Sequence, residues 1–177
     1  MSLETLAQSI HAWGIAEWMR SSLKAMPVIE SIHVMAITLV FGSILVVDLR
    51  LLGLLNANRA FTRIAHELLR LTWGAFAVAA ITGALLFTPN SITYYHNTAF
   101  RLKMLAILAA GINMAIFEFR TVRGVATWDT TRTPPAAARL AGLLSIVLWV
   151  TVIILGRWIG FSKGYDFSIP EEVQFEF

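Results

Sequence analysis

The stretch PVIESIHVMAITLVFGSILVVDLRLLGLL, residues 27–55, decides the fold of this chain. It is almost wholly apolar, and a helix needs only about 20 such residues to cross a hydrocarbon layer about 30 Å thick. Its first residue, Pro27, suits the first turn of a helix. The polar side chains inside this stretch are therefore its most informative residues, above all Glu30, His33 and Asp48.

Three more apolar runs follow and predict spans at about residues 68–87, 100–120 and 137–159. The chain has 177 residues, of which 57% are hydrophobic and only 14% charged. A soluble domain carries about a quarter charged residues. The sequence therefore predicts an all-α fold, an integral membrane four-helix bundle within residues 26–160.

The two ends of the chain are predicted to lie outside the bundle. In residues 1–25, apolar side chains recur at helical spacing and Trp13 and Trp18 suit an interface, which predicts an amphipathic interfacial helix rather than a signal peptide. The tail, residues 161–177, is acidic and aromatic. Its alternation at strand period leaves docking on a partner and disorder equally open.

The composition excludes several functions. No cysteine is present, so disulfides, thiolate metal sites and thiol catalysis are excluded. The net charge of +3 comes from basic residues at helix ends and in loops, which is typical of membrane topology and not of nucleic-acid binding. No nucleophile–base pair, phosphate loop or zinc motif appears, which favours a protein that is not an enzyme on its own.

The basic residues also predict the orientation. We call the membrane face where the first span begins the A side and the opposite face the B side. The A side receives six basic residues: Arg20, Lys24, Arg101, Lys103, Arg157 and Lys163. The B side receives eight: Arg50, Arg59, Arg63, Arg70, Arg120, Arg123, Arg132 and Arg139. Because cytoplasmic loops carry the excess, the B side is predicted to be cytoplasmic and both termini to lie outside.

Three ionisable residues of the first span, Glu30, His33 and Asp48, share one face of the predicted helix with Met26. Ionisable groups in lipid cost about 2.5–3.5 kcal/mol each, so this face is expected to point into the bundle. A thioether, a carboxylate and an imidazole at one end, from Met26, Glu30 and His33, form a candidate copper site. A Glu–His pair that only hydrogen-bonds within the protein is the alternative.

Haem b is the second use expected for an intramembrane histidine. His33 lies near the A side and His66 at the B side, which is too large a difference in depth for one haem. His96, in the A-side loop, is the candidate second ligand, and His11 or a second protomer are the alternatives.

Two sets of charged residues remain. Near the A side, Arg101, Lys103 and Arg157 are candidates to bind a lipid headgroup, a quinone carbonyl or the acidic tail, unless they snorkel to water. Near the B side, Asp48, Arg70 and Arg120 lie at similar depth, and a structural ion pair is predicted among them.

Four motifs carry a resemblance to a known family: PVIESIHV (27–34), DLRLLG (48–53), AFRLKM (99–104) and GRWIG (156–160). From about residue 25 to residue 160, the chain resembles an uncharacterised family of small four-helix bacterial inner-membrane proteins. The resemblance implies the fold, the bacterial inner membrane and a histidine in the first span. The family also tends to place a histidine near the end of the third span, where this chain has Phe117-Glu118-Phe119.

Three functions are consistent with these residues. The first is a redox or metal-handling subunit whose outward-facing Glu30 and His33 bind haem b or copper or meet a quinone. The second is a non-enzymatic anchoring or assembly subunit, and small residues in the spans would permit a homo-oligomer or a larger membrane complex. The third is a small ion or proton transporter, which the apolar middle of the polar face, with Ile37, Phe41 and Ile44, disfavours.

Overall fold

Four long helices dominate the computed structural model, which describes residues 3–55, 60–131 and 133–162. The helices of this part are α1 (Leu3–His11), α2 (Gly14–Ser21), α3 (Ala25–Leu51), α4 (Phe61–Phe87), α5 (Ser91–His96), α6 (Thr98–Ile116) and α7 (Ala136–Ser162). Of these, α3, α4, α6 and α7 belong to segments long and apolar enough to cross a membrane. The predicted all-α membrane bundle is confirmed, and the described residues contain no strand.

The four spanning helices are arranged in the spatial order α4, α3, α7, α6. Helix α3 packs along α4 on one side and α7 on the other, and α7 packs along α6. Among the described residues, α4 and α6 do not pack along each other. These two helices meet through side chains, as in the stacked rings of Phe87 and Phe100, whose centroids are 5.4 Å apart.

A buried hydrogen bond joins α3 and α4 near the middle of the bundle. The hydroxyl oxygens of Ser43 and Thr72 are 2.7 Å apart, and each residue also bonds to a carbonyl oxygen of its own helix. Since lipid offers no hydrogen-bonding partners, two such hydroxyls favour contact with each other. This bond fixes the register of α3 against α4.

The N-terminal segment covers the A side of the bundle as two helices rather than the single helix predicted. Between α1 and α2, the chain turns at Ala12 and Trp13. Met19 of α2 is fully buried, and the Thr88 hydroxyl lies 3.9 Å from its sulfur atom. Ser91, at the start of α5, donates a 2.8 Å hydrogen bond to the carbonyl of Ala7. These contacts attach α1 and α2 to the connection between α4 and α6, where a loop was predicted and α5 forms.

The B side is closed by a group of contacts that we call the B-side latch: Arg50, Asp129, Thr131 and Thr62. Arg50 is fully buried, and its Nη2 donates to the carbonyls of Asp129 and Thr131 at 3.0 and 3.2 Å. The Asp129 carboxylate accepts from the backbone N–H and the hydroxyl of Thr62, at 2.8 and 3.0 Å. Asp129 therefore caps α4, although it lies far along the chain, and Arg50 is a structural residue rather than a surface charge.

The third span ends differently from the sequence prediction. After Ile116 the chain forms a π-helical turn, Phe117–Thr121, and then a 3-10 turn, Val122–Thr127, where a loop was predicted from residue 121. A π-turn holds one more residue than an α-turn, so it changes the direction of the side chains that follow. Phe117 and Trp128 both pack against Phe61, with ring centroids 5.9 and 5.2 Å from its ring.

Removing the cap of α4 is expected to destabilise the protein. Asp129→Ala deletes both acceptors for Thr62 and should lower the free energy of unfolding by about 1–2 kcal/mol, the usual value of a helix cap. Glu67→Ala is the matched control, since this exposed carboxylate on α4 makes only a surface ion pair with Arg63, 3.5 Å away. Unfolding of both variants in mixed micelles measures the difference, and equal stability would contradict the capping role.

Candidate functional site

The polar face of α3 is buried only in part. Asp48 is buried, with 4% of its surface exposed, whereas His33 is half-buried and Glu30 is exposed. Near Asp48, a Cβ added to Gly142 of α7 would lie 3.1 Å from the Asp48 carbonyl oxygen. The close approach of α7 therefore covers this face of α3 at the B side, and Glu30 at the other end remains uncovered.

His33 is held against α4 in a defined orientation. Its Nδ1 is 2.9 Å from the Thr82 hydroxyl oxygen, and that hydroxyl donates its own hydrogen to the Val78 carbonyl at 2.7 Å. The Ala79 carbonyl also interacts with the imidazole ring. With the Thr82 hydrogen on the Val78 carbonyl, the Thr82 hydroxyl oxygen accepts from Nδ1–H of neutral His33. The Nε2 atom then keeps its lone pair.

Glycine at position 83 makes room for the imidazole ring. A Cβ added to Gly83 would lie 3.0 Å from Cε1 of His33 and 3.8 Å from Nε2. Any larger residue at this position would move the ring. Thr82 and Gly83 were not singled out from the sequence, although a threonine beside a glycine in the apolar segment ITGALLF (81–87) is a usable signal.

Lys103 is turned into the same region instead of extending to the A surface. Its side chain is half-buried, and a Cβ added to Gly156 of α7 would lie 3.5 Å from its Nζ atom. The ammonium group and the Glu30 carboxylate both act electrostatically on His33. Among the described residues, neither the His33 Nε2 nor the Lys103 ammonium has a hydrogen-bonding partner. We call His33, Thr82, Lys103 and Glu30 the A-side site.

The other residues predicted to bind haem or copper lie around this site without completing it. Met26 is half-buried and His96 is exposed, with the His96 ring packed edge-on against Tyr95 at 4.9 Å. In the described parts of the chain, no three histidine, aspartate or glutamate side chains are close enough to share a metal ion.

Asp48 does not form the ion pair predicted with Arg70 and Arg120. One oxygen of its carboxyl group bonds to the Ser145 side chain of α7, and the buried Oδ2 has no hydrogen-bonding partner within residues 3–55, 60–131 and 133–162. Arg70 is exposed because it lies on the face of α4 opposite the buried Thr72. Arg120 is exposed because it follows the start of the π-turn. Similar depth in the membrane did not bring the three side chains together.

A cavity of about 160 Å³ lies beside Asp48. All four spanning helices contribute to its lining, which is mostly apolar and includes Val40 of α3, Phe76 of α4, Gly111 of α6 and Ser145 of α7. Asn113 also lines it, but its amide group is engaged with the Ala141 carbonyl at 2.9 Å. The cavity is a second candidate binding site, at the B side.

These features define a multi-pass membrane protein with one polar site at the A side and one acid-lined cavity at the B side. The chain belongs to a family of unknown function, DUF6644, whose family model matches residues 21–162. No curated protein and no solved structure matches it. The matched residues include all four spanning helices and both candidate sites.

A single methyl group should disturb the His33 orientation. Gly83→Ala places a carbon atom 3.0 Å from Cε1, which should shift the ring, weaken its bond to Thr82 and cost about 1 kcal/mol, the low end for overpacking, because a side-chain ring can move. Gly74→Ala is the control, since a Cβ there meets nothing within 4 Å. The ¹⁵N chemical shifts of the His33 imidazole report the change, and identical shifts in both variants would contradict the contact.

Proposed function

We propose that this protein is a subunit of a redox system in the bacterial inner membrane, and that its A-side site binds the headgroup of a lipid-soluble quinone. The observation that supports this most is the His33 ring, which is oriented by the 2.9 Å contact of its Nδ1 with the Thr82 hydroxyl oxygen and interacts electrostatically with the Lys103 ammonium. One acceptor and one cationic donor are thus available in the same half-buried region.

This pair of groups matches the two states of a quinone. A quinone carbonyl accepts hydrogen bonds, and the Lys103 ammonium can only donate. A quinol hydroxyl donates, and Nε2 of His33 accepts. Glu30, exposed one turn before His33, offers a route for protons between the imidazole ring and water at the A side.

A copper ion is a less favoured ligand of the A-side site than a quinone. The Lys103 ammonium would repel a copper ion at His33, because like charges interact strongly where water is scarce.

Haem b is the second candidate. A histidine whose Nδ1–H is held by another group is typical of metal ligation through Nε2, and Lys103 would pair with a haem propionate. Haem would need one axial ligand from this chain, and the Lys103 ammonium would not repel it because a haem propionate is negatively charged.

The proposed orientation has the B side in the cytoplasm and both termini in the periplasm. Arg50 and Lys103, one basic residue from each side, are turned into the bundle and do not act as surface charges. The excess of basic residues on the B side therefore remains, as the positive-inside rule requires.

The electron-transfer partner is proposed to be another protein of the same membrane. Large apolar side chains of α6 and α7 are exposed, among them Leu105, Leu108, Val147 and Ile154. They can face lipid or a second subunit. A protein that only anchors or assembles such a complex remains the alternative, and it would need no free groups at the A-side site.

Quinone binding is tested with the purified protein in lipid nanodiscs and a short-chain benzoquinone analogue. Lys103→Met removes the ammonium and keeps the apolar stem, so the affinity should fall about tenfold, or 1.4 kcal/mol. His33→Ala should have a similar effect. Arg101→Gln is the control, because Arg101 is an exposed cation two residues away on α6.

Two outcomes would count against the proposal. Equal quinone affinity in the wild type, Lys103→Met and Arg101→Gln would show that the A-side site does not recognise the headgroup. A Soret absorption band in the purified protein, lost in His33→Ala, would replace the quinone with haem b. If neither quinone nor haem binds, the anchoring function is favoured.

A further inference from the structure

The cavity at the B side is lined by side chains of both α4 and α6, and some of them are exposed on the surface that would face lipid. These two helices do not pack along each other among the described residues, and the cavity lining includes Trp73 and Met114, which are 57% and 36% exposed. Along α3 the lining runs from Val40 to Leu51, about 16 Å at 1.5 Å per residue. A small apolar molecule could therefore enter sideways from the membrane.

One polar atom in this cavity is left without a partner. Asp48 is 4% exposed and lines the cavity, and its Oδ2 accepts no hydrogen bond from the residues that the structure describes. A buried carboxyl oxygen without a donor is costly. The hydroxyl and amide side chains of the lining are engaged: Ser145 with the other carboxyl oxygen of Asp48, Thr72 with Ser43, and Asn113 with Ala141. A molecule in the cavity that carries a hydrogen-bond donor would satisfy this oxygen.

The charges of the lining indicate which donor fits. Asp48 and Glu118 both line the cavity, and no lysine, arginine or histidine is among its lining residues. The buried cation nearest along the chain, Arg50, is held by the Asp129 and Thr131 carbonyls in the B-side latch. An ammonium group would supply a hydrogen-bond donor and a compensating charge together.

We propose that this cavity binds a lipophilic amine, with its ammonium group on Asp48 and its apolar part towards Val40 and Phe76. The volume of about 160 Å³ is close to that of an apolar protein cavity of about 150 Å³ that holds benzene. The apolar part is therefore about one aromatic ring or a short alkyl chain. This site is independent of the A-side site and of the quinone proposal.

The proposal is tested with two ¹⁹F-labelled probes that carry one aromatic ring and differ only in their polar group, 4-fluorobenzylamine and 4-fluorobenzyl alcohol. Each is titrated into nanodiscs of zwitterionic lipid with and without the protein, and ¹⁹F NMR measures saturable binding. The amine should bind at least about tenfold more tightly than the alcohol. Asp48→Asn should remove this preference, because it keeps the shape of the side chain and deletes its charge.

Two further variants protect the test against misfolding. Glu67→Gln removes an exposed carboxylate in a surface ion pair and should leave amine binding unchanged. Gly111→Leu should block binding of both probes and keep the fold, since Gly111 lines the cavity and a Cβ there meets nothing within 4 Å. Three results would overturn the proposal: a preference for the amine that survives Asp48→Asn, amine binding that survives Gly111→Leu, or equal affinity of the wild type for the amine and the alcohol.

Discussion

Hydrocarbon offers no hydrogen bonds, and this constraint determines how the four spanning helices meet. The polar side chains of α3 must find partners on its neighbours. His33 and Ser43 find Thr82 and Thr72 on α4, and Asp48 finds Ser145 on α7. Because both neighbours are held by α3, it lies between α4 and α7. Helices α4 and α6 face each other across the cavity, which both of them line.

The same constraint acts more strongly on Arg50, which is fully buried at the B side. A guanidinium in that position needs several acceptors, and the backbone carbonyls of Asp129 and Thr131 supply two of them. Asp129 in turn caps α4 through Thr62. The B-side latch thus connects the end of α3, the start of α4 and the segment before α7. If Asp129 and Thr131 moved away, the buried Arg50 guanidinium would lose these two acceptors.

The sequence predicts the spans well because hydropathy is a property of each segment alone. It also places Glu30, His33 and Asp48 on one face, because helical geometry is local. Burial of that face depends on the neighbour: α7 covers Asp48 where Gly142 allows close contact, and leaves Glu30 exposed. The predicted ion pair of Asp48 with Arg120 does not form for a similar reason. Arg120 lies in the π-turn that follows Ile116, and no hydropathy pattern indicates that turn. Lys103 was noticed from its type, but its inward direction depends on Gly156 of another helix.

The two candidate sites have opposite electrostatic character on a single helix. At the A side, the Lys103 ammonium acts electrostatically on the His33 imidazole, and at the B side two carboxyl groups line a cavity without a cation among its lining residues. The span from His33 to Asp48 is about 22 Å, at 1.5 Å per residue, and apolar side chains such as Ile37, Phe41 and Ile44 lie between them. No polar group therefore links one site to the other along this face of α3, so a continuous ion path is disfavoured. Because the two sites share no side chain, a ligand at one should influence the other only by moving α3 as a whole.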